Sequence, residues 1–194
     1  MVGADLSGIE LRMLAHYLAR YDGGRYAKLL LEDDIHQINA DKIGISRRQV
    51  KTVTYAFLYG AGDEKIGHSY DQQLSTTAAK KKGKEIRAAY VDAVDGLDDL
   101  LKAIKQAAER GFIKSIDGRK VNVDSPHKAL NYCLQSGAGV IAKRWMVINQ
   151  ETMREAQICA SQLGFIHDEL QFECAPEHVG DLSTSLVYSA TAAG

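Results

Sequence analysis

The chain has 194 residues, of which 45% are hydrophobic and 25% are charged, and its formal net charge is −1. This composition is typical of a globular domain with a packed core and excludes a disordered chain, a collagen-like chain and a coiled-coil rod. No apolar stretch approaches the roughly 20 residues that a membrane span requires, and the N-terminus lacks the layout of a signal peptide. The three cysteines have no C-x-x-C spacing, which argues against a disulfide framework or a zinc cluster. We therefore expect a soluble, cytoplasmic protein without a membrane partner.

Charge is divided unevenly along the chain. Residues 42–62 contain four basic residues and no acidic residue, and residues 80–87 contain five basic residues against Glu85 alone. Residues 151–194 contain seven acidic residues and a single base, Arg154. This division suits a protein that binds a polyanion in one place and metal ions in another, although solvated helix faces explain most charge runs of this kind.

Only two prolines occur, so the first two-thirds of the chain are expected to be mainly helical. Hydrophobic periodicity predicts a strand at residues 2–6 and helices at 9–21, 34–43, 47–59, 78–91, 97–111, 129–163 and 176–191. Gly137 and Gly139 are candidate breaks in the longest helix. One hairpin is predicted around Asp117-Gly118, and a second at residues 163–175, where apolar and polar residues alternate and His167, Asp168 and Glu169 lie at the turn.

Four residues recur at intervals of four in the predicted helix 47–59, namely Arg47, Lys51, Tyr55 and Tyr59. Because each step of four advances about 40° around a helix, their side chains form one stripe. Two cations followed by two aromatic rings suit a ligand with phosphates at one end and a flat base at the other. The alternative is a surface helix with ordinary extended bases and half-buried tyrosines. Gly60 is more consistent with the end of this helix than with a dinucleotide-binding loop.

Two aspartates are predicted at the ends of strands. Asp5 lies where the first strand turns into a helix, and Asp168 lies at the turn of the second hairpin. Carboxylates on rigid backbone hold Mg²⁺ in many phosphoryl-transfer enzymes, because this ion keeps its waters and needs few protein oxygens. An aspartate in a turn more often accepts a local backbone hydrogen bond. Each aspartate alone is therefore weak support for a metal site.

Three motifs, taken in chain order, resemble those of family A DNA polymerases, and of autographivirus-type phage replicative polymerases in particular. Residues 5–12 (DLSGIELR) resemble motif A, the stripe from Arg47 to Gly60 resembles motif B, and residues 166–169 (IHDE) resemble motif C. Further agreement lies in the segments at 34–36 (DIH), 55–67 (YAFLYGAGDEKIG), 117–120 (DGRK), 125–127 (SPH) and 129–136. The resemblance extends over nearly the whole chain.

The resemblance implies an α/β (α+β) fold, with a palm that contains a small antiparallel sheet and a mainly helical fingers subdomain. Residues 1–32 would form the palm around motif A, residues 33–115 the fingers with the motif B helix at 47–59, and residues 116–194 the rest of the palm with the motif C hairpin at 163–175. No thumb or 3′→5′ exonuclease portion precedes motif A, and the C-terminus would be truncated. We therefore expect a partial reading frame or one part of a split polymerase.

The resemblance also implies an enzyme, a DNA-directed DNA polymerase that adds dNTPs to a primer 3′ end in phage DNA replication. Asp5 and Asp168 would bind two Mg²⁺ ions, the Leu6 carbonyl would be a further ligand, and Glu169 would support the site. One ion would activate the primer 3′-hydroxyl and the other would stabilise the leaving pyrophosphate. If phage-encoded, the protein would act in the host cytoplasm.

Other residues are assigned to the nucleotide by the same resemblance. His36, Arg47 and Lys51 would bind the triphosphate. Lys51 would also donate a proton to the leaving pyrophosphate. Tyr55 would pack against the nucleotide, and Tyr59 would lie beside the templating base pair. Glu10 would crowd the sugar 2′ position and exclude ribonucleotides.

The implied partners are primer-template DNA, dNTPs, a separate thumb and exonuclease portion, and a host processivity factor. The residues assigned to primer-template are Asn131, Gln135, His167 and Glu169. Two other functions stay open: a non-catalytic part of a split polymerase that binds nucleic acid, and a metal-dependent phosphohydrolase. The paired aspartates together with Lys51 favour the polymerase, since a pure binding module has no need for carboxylates that repel phosphate.

Overall fold

The computed structural model describes residues 1–194, and mixed helices and small antiparallel sheets confirm the predicted α+β fold class. In chain order the elements are β1 Val2–Asp5, α1 Ile9–Asp22, α2 Arg25–Glu32, α3 Ile35–Ile43, α4 Arg47–Leu58, α5 Asp63–Tyr70, α6 Thr76–Ala93, α7 Leu97–Ala108, β2 Phe112–Lys114, β3 Lys120–Asn122, α8 Ala129–Glu155, β4 Ala160–Ile166, β5 Glu169–Cys174 and α9 Val179–Ala193. None of the helices is both long and apolar enough to cross a lipid bilayer.

The chain divides into two compact units. The sheet unit comprises Met1–Ile9 and Gln135–Gly194, and the helical unit comprises Glu10–Leu134. Most of α1 and the hairpin β2–β3 belong to the helical unit. The assignment of residues to palm and fingers stays a prediction.

The sheet unit is built on three antiparallel strands in the order β1-β5-β4. Alternation along β5 turns Leu170 and Phe172 into the core, where they pack with Trp145 of α8 and with Leu182 and Leu186 of α9. The indole N–H of Trp145 donates to the carbonyl of Leu186 at 2.9 Å. Full burial of each large side chain contributes about 1.5 to 3 kcal/mol, so this core fixes the sheet against the two helices.

In the helical unit, α4 packs against α3 and α5, and α6 packs against α3 and α5. A capping box between Ser46 and Gln49 begins α4. The inner face of α4 includes the buried Val50, Val53 and Phe57. The helix ends before Gly60, whose φ of 74° lies in the left-handed region. The prediction that glycine terminates this helix is thereby confirmed.

Helices α5 and α6 are packed closely together at two glycines. A Cβ atom on Gly83 of α6 would lie 1.8 Å from the carbonyl oxygen of Asp63, and one on Gly67 of α5 would lie 2.0 Å from the carbonyl oxygen of Ala79. Both obstacles are backbone atoms, which cannot rotate away. Glycine at these positions therefore sets the distance between the two helices.

Replacement of Gly83 by alanine is expected to lower the free energy of unfolding by about 2 to 3 kcal/mol, because the added methyl group would force the helices apart. Gly139→Ala is the matched control, since no atom lies within 4 Å of a Cβ added in that part of α8. This control should raise the free energy of unfolding by about 0.4 to 1 kcal/mol. Urea denaturation measures both changes, and equal stability of the two variants would contradict the close approach of α5 and α6.

Several predicted elements are confirmed, and the predicted end of the longest helix is wrong. Strand β1, helices α1, α3, α4, α6, α7 and α9, and both hairpins lie where the sequence predicts them, within a few residues. The long helix α8 ends at Glu155 and not at residue 163, it is not broken at Gly137 or Gly139, and residues 160–166 form β4. Helices α2 and α5 were not predicted. Pairing of β4 with β5 explains the error in α8, because a strand partner overrides local helix preference.

Candidate active site

Two carboxylates of the sheet unit lie on neighbouring strands. Asp5, the last residue of β1, is directly paired with Glu169, the first residue of β5. Directly opposed residues place their side chains on the same face of a sheet. Val2 and Ala4 of β1 pack against the core, so the other face of β1 carries Asp5 away from it. Asp5 and Glu169 therefore share the face that does not contact the core.

Asp168 joins this pair through the turn that precedes β5. Its carbonyl accepts a hydrogen bond from the N–H of Leu6 at 3.2 Å, so the residue after Asp5 is bonded directly to the backbone of Asp168. His167, the other residue of the turn, has a φ of 58°, which is uncommon for a residue with a side chain. The turn thus has a constrained conformation, and its backbone is bonded to the residue that follows Asp5.

Glu169 has its own local support. Its Oε1 accepts a hydrogen bond from Nε2 of Gln171 at 3.1 Å. A Cβ atom on Gly3 would lie 3.3 Å from the same Oε1. Glycine at position 3 therefore leaves the space that the Glu169 carboxylate occupies over β1.

In the helical unit, α4 carries the predicted stripe, which we call the α4 stripe: Arg47, Lys51, Tyr55 and Tyr59. Arg47, Lys51 and Tyr59 are exposed and Tyr55 is half-buried, whereas Val50, Val53 and Phe57 are buried. Tyr59 lies at the C-terminal cap and not within the helix. The α4 stripe therefore faces away from the core of its unit, as the interval of four residues predicts.

His36 and Asp34 lie beside the first turn of the α4 stripe. Nε of Arg47 donates to Oδ2 of Asp34 at 2.7 Å. This hydrogen bond is the main cause of a pKa of Asp34 below its ordinary value. The pKa of His36 is lowered, first by burial and then by the charges of Arg47 and Lys51, so the imidazole is neutral at pH 7. The His36 ring lies 6.3 Å from the Tyr55 ring, measured between centroids.

Glu10 is placed next to the other end of the α4 stripe. The Tyr59 hydroxyl donates to Oε1 of Glu10 at 2.5 Å. The pKa of Tyr55 is raised, mainly by burial and further by the negative charge of Glu10. The Tyr55 hydroxyl therefore keeps its proton at neutral pH and can act as a donor.

The residues predicted to contact primer-template fall in both units. Asn131 lies in the helical unit, where its Nδ2 donates to the carbonyl of Leu58 at the end of α4, at 3.4 Å. Gln135 and His167 lie in the sheet unit and are exposed. The structure thus gives Asn131 a role in ending α4 that the sequence did not reveal.

The sequence also did not reveal that Arg87, in the basic run at residues 80–87, forms hydrogen bonds within the protein. Nε of Arg87 donates to Asp63 at 2.6 Å, and Nη2 donates to the carbonyl of Ala61 at 2.5 Å. The guanidinium also lies 5.5 Å from the centre of the Phe57 ring. Arg87 therefore holds the connection between α4 and α5. Nothing in the spacing of the sequence indicates this contact, since the partners are more than twenty residues apart.

The donor set of the sheet unit matches Mg²⁺. Carboxylate and carbonyl oxygens are the protein ligands that this ion prefers, and it retains several waters. No group of three or more His, Cys, Asp and Glu side chains is clustered as a metal site. The ligands predicted from the sequence, the Asp5 and Asp168 carboxylates and the Leu6 carbonyl, are oxygen donors of the kind that this ion takes.

The chain belongs to DNA polymerase family A, because the model of that family matches residues 1–191. It is 37% identical to the DNA-directed DNA polymerase of Enterobacteria phage T3, over 91% of this chain and 27% of that protein. It is 36% identical to the DNA-directed DNA polymerase of Escherichia phage T7, over 93% of this chain and 28% of that protein. The chain thus spans about a quarter of the length of these relatives.

A solved relative supports the same family. The POL domain of Pol1 from M. smegmatis, in complex with DNA primer-template and dNTP, matches with a TM-score of 0.79 and 26% sequence identity. The match covers 99% of this chain and 36% of that chain. The predicted family is confirmed.

Proposed function

We propose that this chain carries the catalytic centre of a template-directed DNA polymerase, which adds dNTPs to a primer 3′ end by two-metal-ion nucleotidyl transfer. The observation that supports this function most is the placement of Asp5 opposite Glu169 in paired strands of a family A member, with the Leu6 N–H bonded to the Asp168 carbonyl. Carboxylates repel phosphate unless a cation is bound, so acidic residues on neighbouring backbone suit cation binding.

The sheet unit corresponds, in this proposal, to the palm, and the helical unit contains the fingers. Asp5 and Asp168 would hold two Mg²⁺ ions, with the Leu6 carbonyl as a further ligand and Glu169 as support. When bound, the ions supply Lewis-acid activation of the primer hydroxyl and charge stabilisation of pyrophosphate. The two aspartates contribute the negative charge and the fixed geometry that this chemistry needs.

The helical unit would bind the incoming dNTP along the α4 stripe. Arg47 and Lys51 would bind the triphosphate together with His36, which the structure places beside Tyr55. Arginine matches phosphate oxygens with two parallel N–H donors, and lysine supplies a point charge. Lys51 would then donate a proton to the leaving pyrophosphate. Tyr55 and Tyr59 follow at successive turns, where the sugar and the base would lie.

Primer-template would contact Asn131, Gln135, His167 and Glu169. The first three would reach the minor groove of the primer-terminal pair, where acceptors common to all base pairs permit a check of shape without sequence preference. The main partners are therefore primer-template DNA and dNTPs.

Glu10 would discriminate against ribonucleotides. The hydrogen bond from the Tyr59 hydroxyl holds its carboxylate in one position, so that the sugar 2′-hydroxyl would meet a fixed obstacle. Glu10→Ala is expected to raise kcat/KM for ribonucleotides relative to dNTPs by at least about tenfold, the effect of about 1.4 kcal/mol of removed repulsion. The ratio of the two kcat/KM values measures this change, and Asp22→Asn, on the same helix, is the control. An unchanged ratio for Glu10→Ala would refute the assignment.

The function is tested by mixing the chain with a 5′-labelled primer-template, four dNTPs and Mg²⁺, alone and with lysate of the source host. Extension of the primer supports the proposal. Retention of the labelled DNA on the chain without extension in either mixture would assign it to the non-catalytic part of a split polymerase. Hydrolysis of dNTPs without extension would assign it to the phosphohydrolases. For substitutions of Asp5 or Asp168 in this assay, Glu173→Gln is the matched control, because Glu173 is an exposed carboxylate on β5 outside the site.

A further inference from the structure

We propose that Asp34 is a positioning residue of the triphosphate site, one that fixes both the Arg47 guanidinium and the helix that carries His36. This proposal rests on the triphosphate-binding role given above to the α4 stripe. The two oxygens of the Asp34 carboxylate make different hydrogen bonds. Oδ1 accepts from the backbone at the start of α3, and Oδ2 accepts from Arg47.

Oδ1 of Asp34 holds the start of α3. It accepts hydrogen bonds from the backbone N–H groups of His36 at 3.2 Å and of Gln37 at 3.1 Å. Asp34 is thus the N-cap of α3 and satisfies donors that have no partner within the helix. Since His36 is the second residue of α3, this cap determines where the backbone of His36 lies.

The His36 side chain depends on that backbone. Its buried Nδ1 has no hydrogen-bond partner, so no polar contact at this atom orients the imidazole. The ring is instead held by packing, which includes the tilted contact with Tyr55. The capped first turn of α3 is therefore the main constraint on the position of His36.

Oδ2 of Asp34 orients Arg47 without occupying its whole guanidinium. Arg47 donates to Asp34 through Nε alone, at 2.7 Å. A guanidinium has five N–H donors, so both terminal amino groups stay available for phosphate oxygens. The contact joins positions 13 residues apart and links the start of α3 to the first residue of α4.

The stability of the protein does not explain this ion pair. The side chains of Arg47 and Asp34 are 50% and 47% exposed, and pairs of such exposure contribute little to folding. A fixed guanidinium instead loses less side-chain freedom when it binds phosphate. Opposing this benefit, the charge of Asp34 repels a triphosphate. For Asp34 to favour binding, the gain from a fixed Arg47 guanidinium must outweigh this repulsion of the triphosphate.

Asp34→Asn separates the N-cap of α3 from the contact with Arg47. The asparagine oxygen can still accept from His36 and Gln37, because asparagine is as good an N-cap as aspartate. Its amide group then turns N–H donors toward Nε of Arg47, so that contact is lost. Asp34→Ala removes both the N-cap and the contact with Arg47. Asp98→Asn is the matched control, since exposed Asp98 pairs with Lys102 at 2.5 Å on α7.

The experiment measures the dissociation constants of dATP and of inorganic tripolyphosphate by isothermal titration calorimetry on the 194-residue chain, with thermal melting of each variant. Asp34→Asn should raise both constants about three- to tenfold and leave the melting temperature unchanged. Asp34→Ala should raise them further and lower the melting temperature. Asp98→Asn should change neither. In an Arg47→Ala background, Asp34→Asn should have no further effect, because its partner is absent.

The possible failures are distinct. If Arg47→Ala weakens binding but Asp34→Asn leaves it unchanged or tightens it, the positioning role is refuted while triphosphate binding stands. If Asp34→Asn weakens binding equally in the Arg47→Ala background, the effect does not act through Arg47 and the proposal is also refuted. If Arg47→Ala leaves both dissociation constants unchanged, the triphosphate role of the α4 stripe fails, and the role of Asp34 fails with it.

Discussion

Asp168→Asn is expected to reduce the rate of primer extension by at least a thousandfold, which corresponds to about 4 kcal/mol of transition-state stabilisation. The substitution removes a negative charge, and with it a proposed metal ligand, from the residue whose carbonyl accepts from the Leu6 N–H. Asp5→Asn should have the same effect, since both aspartates are proposed to bind the same two ions. The measurement is the rate of single-nucleotide extension at saturating dNTP and Mg²⁺.

The fold should survive these substitutions. Neighbouring carboxylates do not stabilise each other when no metal is bound, so loss of one charge should leave the free energy of unfolding unchanged or slightly higher. Glu173→Gln removes an exposed carboxylate from the same strand, where Glu173 pairs with Ser161, and should leave the rate unchanged. Retention of more than about a tenth of the rate by Asp168→Asn would contradict its assignment as a metal ligand.

Tyr55→Phe is expected to produce discrimination against dideoxynucleotides, by about 2 to 4 kcal/mol. In a normal dNTP, the 3′-hydroxyl can donate a hydrogen bond to the nucleotide's own phosphate, and a dideoxynucleotide lacks this donor. The Tyr55 hydroxyl can replace it, because burial and Glu10 raise its pKa and keep it protonated. The parent protein should therefore accept both substrates almost equally.

The ratio of kcat/KM for dNTP and dideoxynucleotide, measured in the parent and in Tyr55→Phe, decides this point. Tyr132→Phe is the control, because it removes a tyrosine hydroxyl that donates to Asp124 at 2.9 Å on the helical unit. This control should leave the ratio unchanged. An unchanged ratio in Tyr55→Phe as well would mean that this tyrosine packs only and does not face the sugar.

Much of the local structure around the candidate site could be predicted from the sequence. The alternation that follows His167 and Asp168 predicts the hairpin β4–β5, and the interval of four from Arg47 predicts the outward face of α4. Each pattern lies within a single element and reflects which of its sides faces the core, and hydrophobic periodicity reveals that side. The direct pairing of Asp5 with Glu169 could not be predicted, because it depends on the register between strands more than 160 residues apart.

Contacts between distant elements account for what the sequence did not reveal. The N-cap role of Asp34 follows a local rule, whereas its ion pair with Arg47 depends on how α3 packs on α4. Helix α5 was missed because Gly67 lowers its helix propensity, and the same glycine permits the close contact with α6 that stabilises it. In both cases the packing of one helix against another determines the structure, and local sequence preference does not reveal it.

Single-nucleotide incorporation tests whether the proposed DNA synthesis follows the template. The chain is mixed with four primer-templates that differ only in the templating base, and each is supplied with one dNTP at a time in Mg²⁺. We expect the complementary dNTP to be added at least about a hundredfold faster than the other three in every case. EDTA should abolish the reaction. Incorporation that does not follow the templating base, or that persists without divalent metal, would contradict the proposed function.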